Sequence, residues 1–357
     1  MKIGILTFHC VQNYGAVLQA FALQEFLKAR KHLVCIIDYR PEYLADTTRL
    51  APKSLRSRPV RLAKHMVKSV ADFGGRLKFR AFVRSRLSLC PFSPESLGGF
   101  DAILFGSDQI WNTDLTKGVD KVFWGLFPVR PGVKRIAYAA SAGAGERKAA
   151  RIPDVVSALQ RFDAVSVREL SLKQVIQPLT HKPVAFVLDP TLLVPGRVLM
   201  RLTDAHSPCA VPYVLVYEVC PLPETLVLAK HLARQIGEEA VVVKPGATSG
   251  RRGGVLYVNG IGPEDLLTYI RFARCVVTTS YHGTALSISF SKDFYTVRVN
   301  EGIDSRASSL LDSLGLQGRL IGKTDAPELT AVDYERAGAL LAERRTQSEN
   351  FLAALLG

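Results

Sequence analysis

Short apolar runs alternate along the chain with segments whose apolar residues recur at helical spacing. In the first half, these runs predict strands at residues 2–8, 33–38, 101–105, 135–139, 164–167 and 183–188. The segment at residues 16–29 carries apolar residues three and four positions apart, which is typical of a helix. Strands that alternate with helices predict parallel sheets covered by helices on both faces.

The pattern breaks between residues 190 and 212, where prolines and polar residues interrupt it, and then a second series begins. Strands are predicted at residues 213–219, 240–243 and 275–279, and helices at 223–236, 263–274 and after His282. We therefore predict an α/β fold of two Rossmann-like lobes with parallel sheets. The first lobe covers residues 1–200, the second covers 201–324, and a C-terminal helical segment at 325–357 is able to pack back on the first lobe.

The composition is that of a globular chain with enough apolar residues for two cores. Of the 357 residues, 48% are hydrophobic, which excludes disorder as the main state. The apolar runs fall far short of the roughly 20 residues that a membrane-spanning helix needs, and the N-terminal run is too short for a signal peptide. The six cysteines lie far apart, which argues against a zinc site and a disulfide framework and favours a cytoplasmic location.

The net charge of +14 is concentrated in one segment. Residues 49–86 hold twelve basic residues and one acid, Asp72, so this segment carries +11 and the rest of the chain only +3. A local basic patch, within a helical excursion predicted at residues 49–90, describes this distribution better than a field over the whole surface. The basic residues are Arg49, Lys53, Arg56, Arg58, Arg61, Lys64, Lys68, Arg76, Lys78, Arg80, Arg84 and Arg86.

Two interpretations of this basic segment remain open. Its apolar residues recur at helical spacing with basic residues between them. The segment could therefore lie on the anionic inner face of a membrane. Alternatively, the apolar face packs on the lobe. The apolar positions are Val60, Ala63, Val67, Val70 and Ala71. Because the segment has no interleaved aromatic residues beyond Phe73, Phe79 and Phe82, nucleic acid is not an expected partner.

Two polar loops follow predicted strands of the first lobe, where ligands bind in parallel α/β sheets. Residues 9–15 combine His, Gln, Asn and Tyr with a glycine, although Asn13 could simply cap the next helix. Residues 106–112 place Asp108 beside Trp111, and a carboxylate next to an indole is typical of a carbohydrate site. The alternative is that Asp108 caps a helix and Trp111 fills the core.

Two further loops carry candidate groups for an anion. Arg168 ends a buried strand and must either pair with an acid such as Glu169 or bind an anionic ligand. Residues 276–283 end another strand and open a helix. There, Ser280 supplies a cap hydroxyl, Gly283 allows close approach, and free N–H groups attract an anion. His282 stands where it could donate a proton to the molecule that carries this anion.

Taken together, these motifs resemble the polysaccharide pyruvyl transferase family. They occur in the family's order over nearly the whole chain, which makes the resemblance specific. The motifs are residues 13–19 (NYGAVLQ), 106–112 (GSDQIWN), 138–141 (YAAS), 166–169 (SVRE), 188–191 (LDPT), 280–283 (SYHG) and 304–306 (DSR).

The resemblance implies a two-lobed fold similar to GT-B glycosyltransferases and transfer of the enolpyruvyl group of phosphoenolpyruvate. Two hydroxyls of a sugar would receive it, giving a pyruvate ketal and phosphate. By this resemblance, His282 is the general acid or the phosphate partner, and Arg168 binds the donor together with Ser280 and Gly283. Arg306 is the second anion ligand, with Arg298 as the competing choice. No metal or organic cofactor is implied.

On the acceptor side, Asp108 is the expected base, with Asn13, Tyr14 and Trp111 lining the sugar. The expected partners are phosphoenolpyruvate and a sugar of a bacterial-type polysaccharide or its lipid-linked oligosaccharide precursor. Two alternatives stay open: a GT-B-type glycosyltransferase that uses a sugar nucleotide, and a non-catalytic binding protein of the same fold.

Overall fold

The computed structural model describes residues 1–47, 60, 61, 63, 66, 67, 70, 72–143, 152–243 and 249–357. Within these residues, two seven-stranded sheets form two successive α/β lobes, which confirms the predicted fold class. The strands of each sheet are covered by helices, and the inner strands are buried along their whole length, as in β4 (Ala102–Phe105) and β8 (Tyr213–Tyr217). Continuous apolar strands of this kind are typical of sheets buried on both faces.

The first sheet has the strand order β3-β2-β1-β4-β5-β6-β7, and its neighbouring strands are parallel. Its other strands are β1 (Lys2–Leu6), β2 (Leu33–Asp38), β3 (Leu89–Pro91), β5 (Lys134–Ala140), β6 (Ala164–Val167) and β7 (Val184–Phe186). The described helices of this lobe are α1 (Tyr14–Ala29), α2 (Glu42–Thr47), α3 (Phe73–Arg86), α4 (Pro94–Gly98), α5 (Pro153–Arg161) and α6 (Leu170–Ile176).

The second sheet has the order β10-β11-β9-β8-β12-β13-β14 and is parallel except for the pair β10 and β11. Its other strands are β9 (Glu239–Val243), β10 (Gly250–Arg252), β11 (Val255–Val258), β12 (Cys275–Thr278), β13 (Asp293–Val297) and β14 (Leu320–Ile321). Two short helices, α7 (Pro190–Leu193) and α8 (Gly196–Met200), join the lobes. The later helices are α9 (Pro223–Gln235), α10 (Pro263–Phe272), α11 (Tyr281–Ser289), α12 (Glu301–Ser313) and α13 (Tyr334–Leu356).

The hydrophobic pattern does not predict the hairpin of β10 and β11, nor the strands β3, β13 and β14. Gly253 and Gly254 connect the two strands with φ values of 56° and 73°. Positive φ at both central residues belongs to a type I′ turn, in which glycine is favoured. The strands are too short for a clear alternation of apolar and polar residues, so the glycine pair was the available signal.

The C-terminal helix α13 returns to the first lobe, as the sequence predicts. Ser348 Oγ accepts a hydrogen bond from the backbone of Leu188 at 2.9 Å. Lys134 on β5 donates to the carbonyl of Leu355 at 2.6 Å. These contacts tie the end of the chain to the lobe in which it begins.

Helix α3, the described end of the basic segment, contacts both lobes. Phe79 and Phe82 are buried, and Phe79 packs on Tyr14 of α1 with ring centroids 4.8 Å apart. On the side of the second lobe, Lys78 forms an ion pair of 2.8 Å with Asp265 of α10. The end of the excursion is therefore a packed helix between the lobes.

The preceding part of the excursion does not fit the interpretation in which its apolar face packs on the lobe. Residues 60, 61, 63, 66, 67 and 70 are helical, and the side chains of Val60, Val67 and Val70 are each more than 60% exposed. The predicted apolar face therefore does not pack on the lobe at these positions. The remaining positions of the predicted pattern lie outside the described residues: Arg49, Lys53, Arg56, Arg58, Lys64, Lys68 and Ala71.

One disulfide contradicts the expectation drawn from cysteine spacing. Cys35 on β2 and Cys90 on β3 are joined by a disulfide, with their Cα atoms 6.0 Å apart. The two strands are neighbours in the sheet although 55 residues separate the cysteines, and linear spacing cannot reveal such a pairing. Because disulfides are rare in a reducing cytoplasm, the cysteine pattern does not support a cytoplasmic location. In the described part of the chain, no helix has the length and apolar character required to cross a membrane.

Candidate functional site

Residues from both lobes converge at the carboxyl ends of their sheets. Asp108 follows β4, Arg168 follows β6, and Asp189 follows β7 in the first lobe, whereas His282 lies in the first turn of α11 after β12 of the second lobe. Carboxyl ends of parallel strands are the usual ligand-binding edge of an α/β sheet. The loops that the sequence singles out therefore meet at one place.

Arg168 is the centre of this site and is 1% exposed. Its Nη1 donates to Asp189 Oδ2 at 2.6 Å, and its Nη2 donates to Asp108 Oδ1 at 3.1 Å. Burial opposes the charge of the guanidinium, but Asp189 and Asp108 outweigh it and raise the pKa of Arg168. Asp189 and Asp108 together thus neutralise Arg168. Arg168 forms no ion pair with Glu169, the acid that the sequence suggests.

Asp189 holds the site together and was not assigned a role from the sequence. Its side chain is fully buried, caps the short helix α7, and accepts from the backbone and hydroxyl of Thr191 at 3.0 and 2.7 Å. Burial alone would raise the pKa of Asp189, but His282 and Arg168 more than offset it and hold the pKa well below its usual range. The carboxylate of Asp189 therefore interacts with both the guanidinium of Arg168 and the imidazole of His282.

His282 is 6% exposed and lies against three groups of the site. Its Nε2 is 3.4 Å from Arg168 Nη1 and 3.5 Å from Asp189 Oδ2. The other ring nitrogen faces Gly15 of α1, where an added Cβ would lie 2.0 Å from Nδ1. The glycine of the residue 13–19 motif is thus required because the histidine of the second lobe occupies the space of a side chain.

The start of helix α11 is built differently from the expected open anion site. Ser280 caps the helix, since its Oγ accepts from the backbone N–H of Gly283 at 3.2 Å. The N–H of Gly283 is therefore already used, and a Cβ at this glycine would lie 2.2 Å from Thr278 Oγ1. Ser280 and Gly283 shape the turn that carries His282, and the prediction that they bind the donor directly gains no support from these contacts.

Arg306 on α12 is buried beside this cluster. It is 9% exposed, and its guanidinium makes no hydrogen bond or ion pair to any residue that the structure describes. Burial, together with the like charge of Arg168, lowers the pKa of Arg306. Arg298, the competing choice, is exposed at the surface. The structure therefore brings Arg306, and not Arg298, into the neighbourhood of Arg168.

Trp111 requires a correction, because the structure places it in the core. It is fully buried and stacks on Trp124 with ring centroids 4.4 Å apart and an interplanar angle of 9°. Its Nε1 donates to the carbonyl of Phe123 at 3.2 Å. Neither face nor edge of the indole is available to a sugar, so the core interpretation of this residue is the correct one.

Asn13 and Tyr14 also have structural partners. Asn13 caps α1 by accepting from the backbone of Ala16 at 3.1 Å, as the simpler interpretation predicts. Tyr14 is 6% exposed, and its hydroxyl donates to the carbonyl of Ile261 in the second lobe at 3.2 Å. Burial raises the pKa of Tyr14 far above its usual value. Tyr14 thus links the lobes instead of facing an open surface.

Asp108 keeps one free oxygen at the edge of the cluster. Its Oδ1 receives the bond from Arg168, and its Oδ2 makes no hydrogen bond within the described residues. Asp108 adopts a left-handed conformation with φ of 71°, and its main chain bridges to Ala140 of β5. Aspartate tolerates this conformation better than most residues. The loop thus turns the carboxylate towards Arg168, and the side chain does not cap a helix.

Buried arginines, a histidine and two carboxylates thus meet between the two α/β lobes. The chain belongs to the polysaccharide pyruvyl transferase family, whose family model matches residues 13–301. No curated protein matches this chain in sequence.

Solved structures with a similar fold are distant in sequence. Arabidopsis thaliana UGT89C1 is 12% identical, with a TM-score of 0.45, over 98% of this chain and 93% of that one. MnaA of S. aureus, solved with UDP, is 10% identical, with a TM-score of 0.47, over 96% and 88%. A Methanocaldococcus jannaschii UDP-GlcNAc 2-epimerase is 10% identical, with a TM-score of 0.42, over 97% and 93%.

Proposed function

We propose that the protein transfers the enolpyruvyl carbons of phosphoenolpyruvate to two hydroxyls of a polysaccharide sugar, forming a cyclic pyruvate ketal. The observation that carries this proposal is Arg306, a buried guanidinium next to Arg168 that forms no ion pair with any residue the structure describes. A buried cation costs free energy unless a charged partner compensates it. A small, highly anionic donor would supply that partner with its phosphate and carboxylate.

Arg168 and Arg306 have different roles in the proposed donor complex. Arg168 is already neutralised by Asp189 and Asp108. Its main contribution is therefore a set of N–H groups held in a fixed position. Arg306 forms no ion pair with any described residue, and its planar fork suits a carboxylate or phosphate. We therefore assign Arg306 to direct contact with the donor and Arg168 to one side of the same pocket.

His282 is proposed to protonate the methylene carbon C3 of phosphoenolpyruvate. Protonation at C3 leaves C2 electrophilic, so a sugar hydroxyl can attack it while the bond from C2 to the phosphate oxygen breaks. A second hydroxyl then attacks the same carbon and closes the ketal. Asp189 lies 3.5 Å from Nε2 and can accept a hydrogen bond from it, which would hold the proton at this nitrogen.

Asp108 is proposed as the base for the acceptor hydroxyls. The two hydroxyls lose two protons, of which one balances the proton added to C3 and the other leaves with phosphate. The free Oδ2 of Asp108 is the carboxylate oxygen that could accept a hydroxyl proton, since Oδ1 is engaged by Arg168. We further propose a cytoplasmic location because phosphoenolpyruvate is produced there, although the Cys35–Cys90 disulfide is more typical of an oxidising compartment.

Thermal melting with separate donors tests the donor first. A ligand at ~100 times its dissociation constant stabilises the folded state by about 2.7 kcal/mol. Phosphoenolpyruvate should raise the melting temperature, and Arg306→Met should abolish that rise because the variant loses the free guanidinium. Arg298→Met removes an equal charge at the surface and should retain the rise.

Product analysis then tests the reaction. With a suitable polysaccharide fraction, phosphate should be released and the acceptor should gain the mass of pyruvic acid less that of water. A rise in melting temperature with UDP- or GDP-sugars and none with phosphoenolpyruvate would contradict the proposal and favour a sugar-nucleotide transferase. No response to either donor, and no phosphate release with acceptor present, would favour a non-catalytic protein.

A further inference from the structure

Tyr281 is a buried residue of the site to which the proposed function assigns no role. It is the first residue of helix α11, directly before His282, and it is only 5% exposed. The ring of a tyrosine is apolar and favours burial, whereas its hydroxyl normally finds a hydrogen-bond partner when it is buried. The ring and the hydroxyl of Tyr281 therefore have different requirements.

The ring of Tyr281 packs on two groups of the site. The guanidinium carbon of Arg168 lies 4.6 Å from the ring centroid, which is a cation–π contact. The imidazole of His282 meets the ring edge to face, with the centroids 5.3 Å apart and an interplanar angle of 83°. These two contacts fix the ring between the arginine and the proposed acid.

The hydroxyl of Tyr281 makes no hydrogen bond to any residue that the structure describes. Two fully buried tyrosines elsewhere behave differently. The hydroxyl of Tyr138 donates to the carbonyl of Leu188 at 3.0 Å. The hydroxyl of Tyr213 donates to the carbonyl of Tyr269 at 2.7 Å. A buried donor without an acceptor costs free energy, so the hydroxyl of Tyr281 points to an acceptor that a ligand supplies.

Two further donors without a partner lie beside this hydroxyl. The Nε atoms of Arg168 and Arg306 are both buried, and neither has a hydrogen-bond partner among the described residues. The charges of both arginines act on the phenol of Tyr281, which places the three donors in one neighbourhood. Donors thus outnumber acceptors in this part of the site, as a site for an anion requires.

The phenol of Tyr281 keeps its proton at neutral pH. Burial, which is the largest cause, and the negative charge of Asp189 raise the pKa of Tyr281 well above its usual value, although Arg168 opposes them. A phenol that keeps its proton is able to donate a hydrogen bond to an anionic oxygen. The hydroxyl is therefore a neutral donor placed beside two cationic ones.

Resting on the proposed function, we infer that the hydroxyl of Tyr281 donates a hydrogen bond to an anionic oxygen of phosphoenolpyruvate, on its phosphate or its carboxylate. A neutral donor suits this position because the charge of Arg168 already disfavours the charge of Arg306. The hydroxyl adds a contact to the anion without adding a third positive charge. Tyr281 is thus a donor-binding residue as well as a packing partner of Arg168 and His282.

Calorimetric titration of the full chain with phosphoenolpyruvate tests this contact. Tyr281→Phe removes the hydroxyl and keeps the ring on Arg168 and His282, so any change in affinity belongs to the hydroxyl. The dissociation constant should rise about tenfold to a hundredfold, as expected for the loss of one hydrogen bond to a charged group.

Tyr213→Phe is the matched control. It removes the same atom from a buried tyrosine, but Tyr213 is the first residue of β8 and lies at the amino end of its sheet, away from the site. Because its hydroxyl is bonded to Tyr269, Tyr213→Phe should lower the denaturant midpoint of unfolding and leave the affinity for phosphoenolpyruvate unchanged.

Unfolding without ligand gives an independent test. Tyr281→Phe loses no hydrogen bond within the protein, so its midpoint should equal that of the parent or exceed it. A loss of stability as large as that of Tyr213→Phe would show that the hydroxyl of Tyr281 has a partner inside the protein, and the inference would be overturned.

The binding results separate this inference from the proposed function. If phosphoenolpyruvate binds the parent and Tyr281→Phe equally, the inference fails and the donor proposal stands. If phosphoenolpyruvate does not bind the parent, the donor proposal fails. Inorganic phosphate and pyruvate, which carry the two anionic groups separately, then decide the role of Tyr281. Weaker binding of either one to Tyr281→Phe supports an anion contact, whereas equal binding or no binding of both overturns it.

Discussion

Gly15 of the first lobe lies against the imidazole of His282 in the second lobe, and a Cβ at Gly15 would fall 2.0 Å from Nδ1. Such a distance is far inside van der Waals contact, so any side chain at residue 15 must displace the histidine. The relationship connects two motifs that are separated by more than 260 residues in the chain. It also fixes how closely the lobes approach at the proposed site.

Gly15→Ala should therefore abolish activity without unfolding the protein. Alanine favours the helix by about 1 kcal/mol over glycine, which partly offsets the local strain. Displacement of a catalytic group by about 1 Å can lower the rate ~100-fold, so kcat/KM should fall at least about 100-fold. Gly338→Ala is the matched control, because it lies in helix α13 with open space around its Cα. Full activity in Gly15→Ala would show that the ring position is not critical.

Arg306→Met should make the protein more stable while it removes donor binding. Replacement of a buried, poorly compensated charge by an apolar side chain of similar volume is often neutral or stabilising by about 1 to 4 kcal/mol. Denaturant unfolding at neutral pH, without ligand, should therefore give a higher midpoint than the parent. A protein that loses stability in Arg306→Met would indicate that Arg306 has a structural partner and would weaken its assignment to the donor.

The pattern of strands and polar loops was sufficient to predict the two lobes and the edge at which Asp108, Arg168 and His282 meet. It could not show which groups neutralise one another, because Asp189 and Arg168 come into contact only in the folded chain. The Asp-Pro-Thr sequence at residues 189–191 signals a helix cap, and the additional ion pairs of a cap residue leave no trace in sequence.

Trp111 illustrates the opposite error. An indole beside a carboxylate fits a sugar site and a core equally well in sequence, and Trp124, which stacks on it, lies thirteen residues away. Cys35 and Cys90 were missed for a related reason, since strand order in the sheet, not spacing, brings them together. In each case, the missing information was a contact that spacing along the chain does not reveal.

Asp189→Asn should destabilise the protein in a pH-dependent way. Removal of one member of a buried ion pair costs about 3 to 5 kcal/mol, because Arg168 loses its 2.6 Å partner. The folded-state pKa of Asp189 is depressed, so its contribution is present above the unfolded pKa of about 3.9 and is lost as pH falls below that value. The stability difference between parent and variant should thus shrink as the pH falls below about 3.9.

Unfolding curves at several pH values measure this difference. Asp101→Asn is a suitable control, because Asp101 is exposed and accepts from the backbone of Lys2 at 2.7 Å. Its variant should differ from the parent by less than about 1 kcal/mol at neutral pH. A difference for Asp189→Asn that grows towards acid would contradict the depressed pKa.

Trp111→Phe should lower stability and leave catalysis nearly unchanged. The variant loses part of the stack on Trp124 and the hydrogen bond to Phe123, at a cost of about 1 to 3 kcal/mol. Since the ring is fully buried, the acceptor cannot contact it, and KM for the acceptor should stay within about threefold of the parent below the melting transition. An increase in acceptor KM with stability unchanged would mean that Trp111 leaves the core when the acceptor binds.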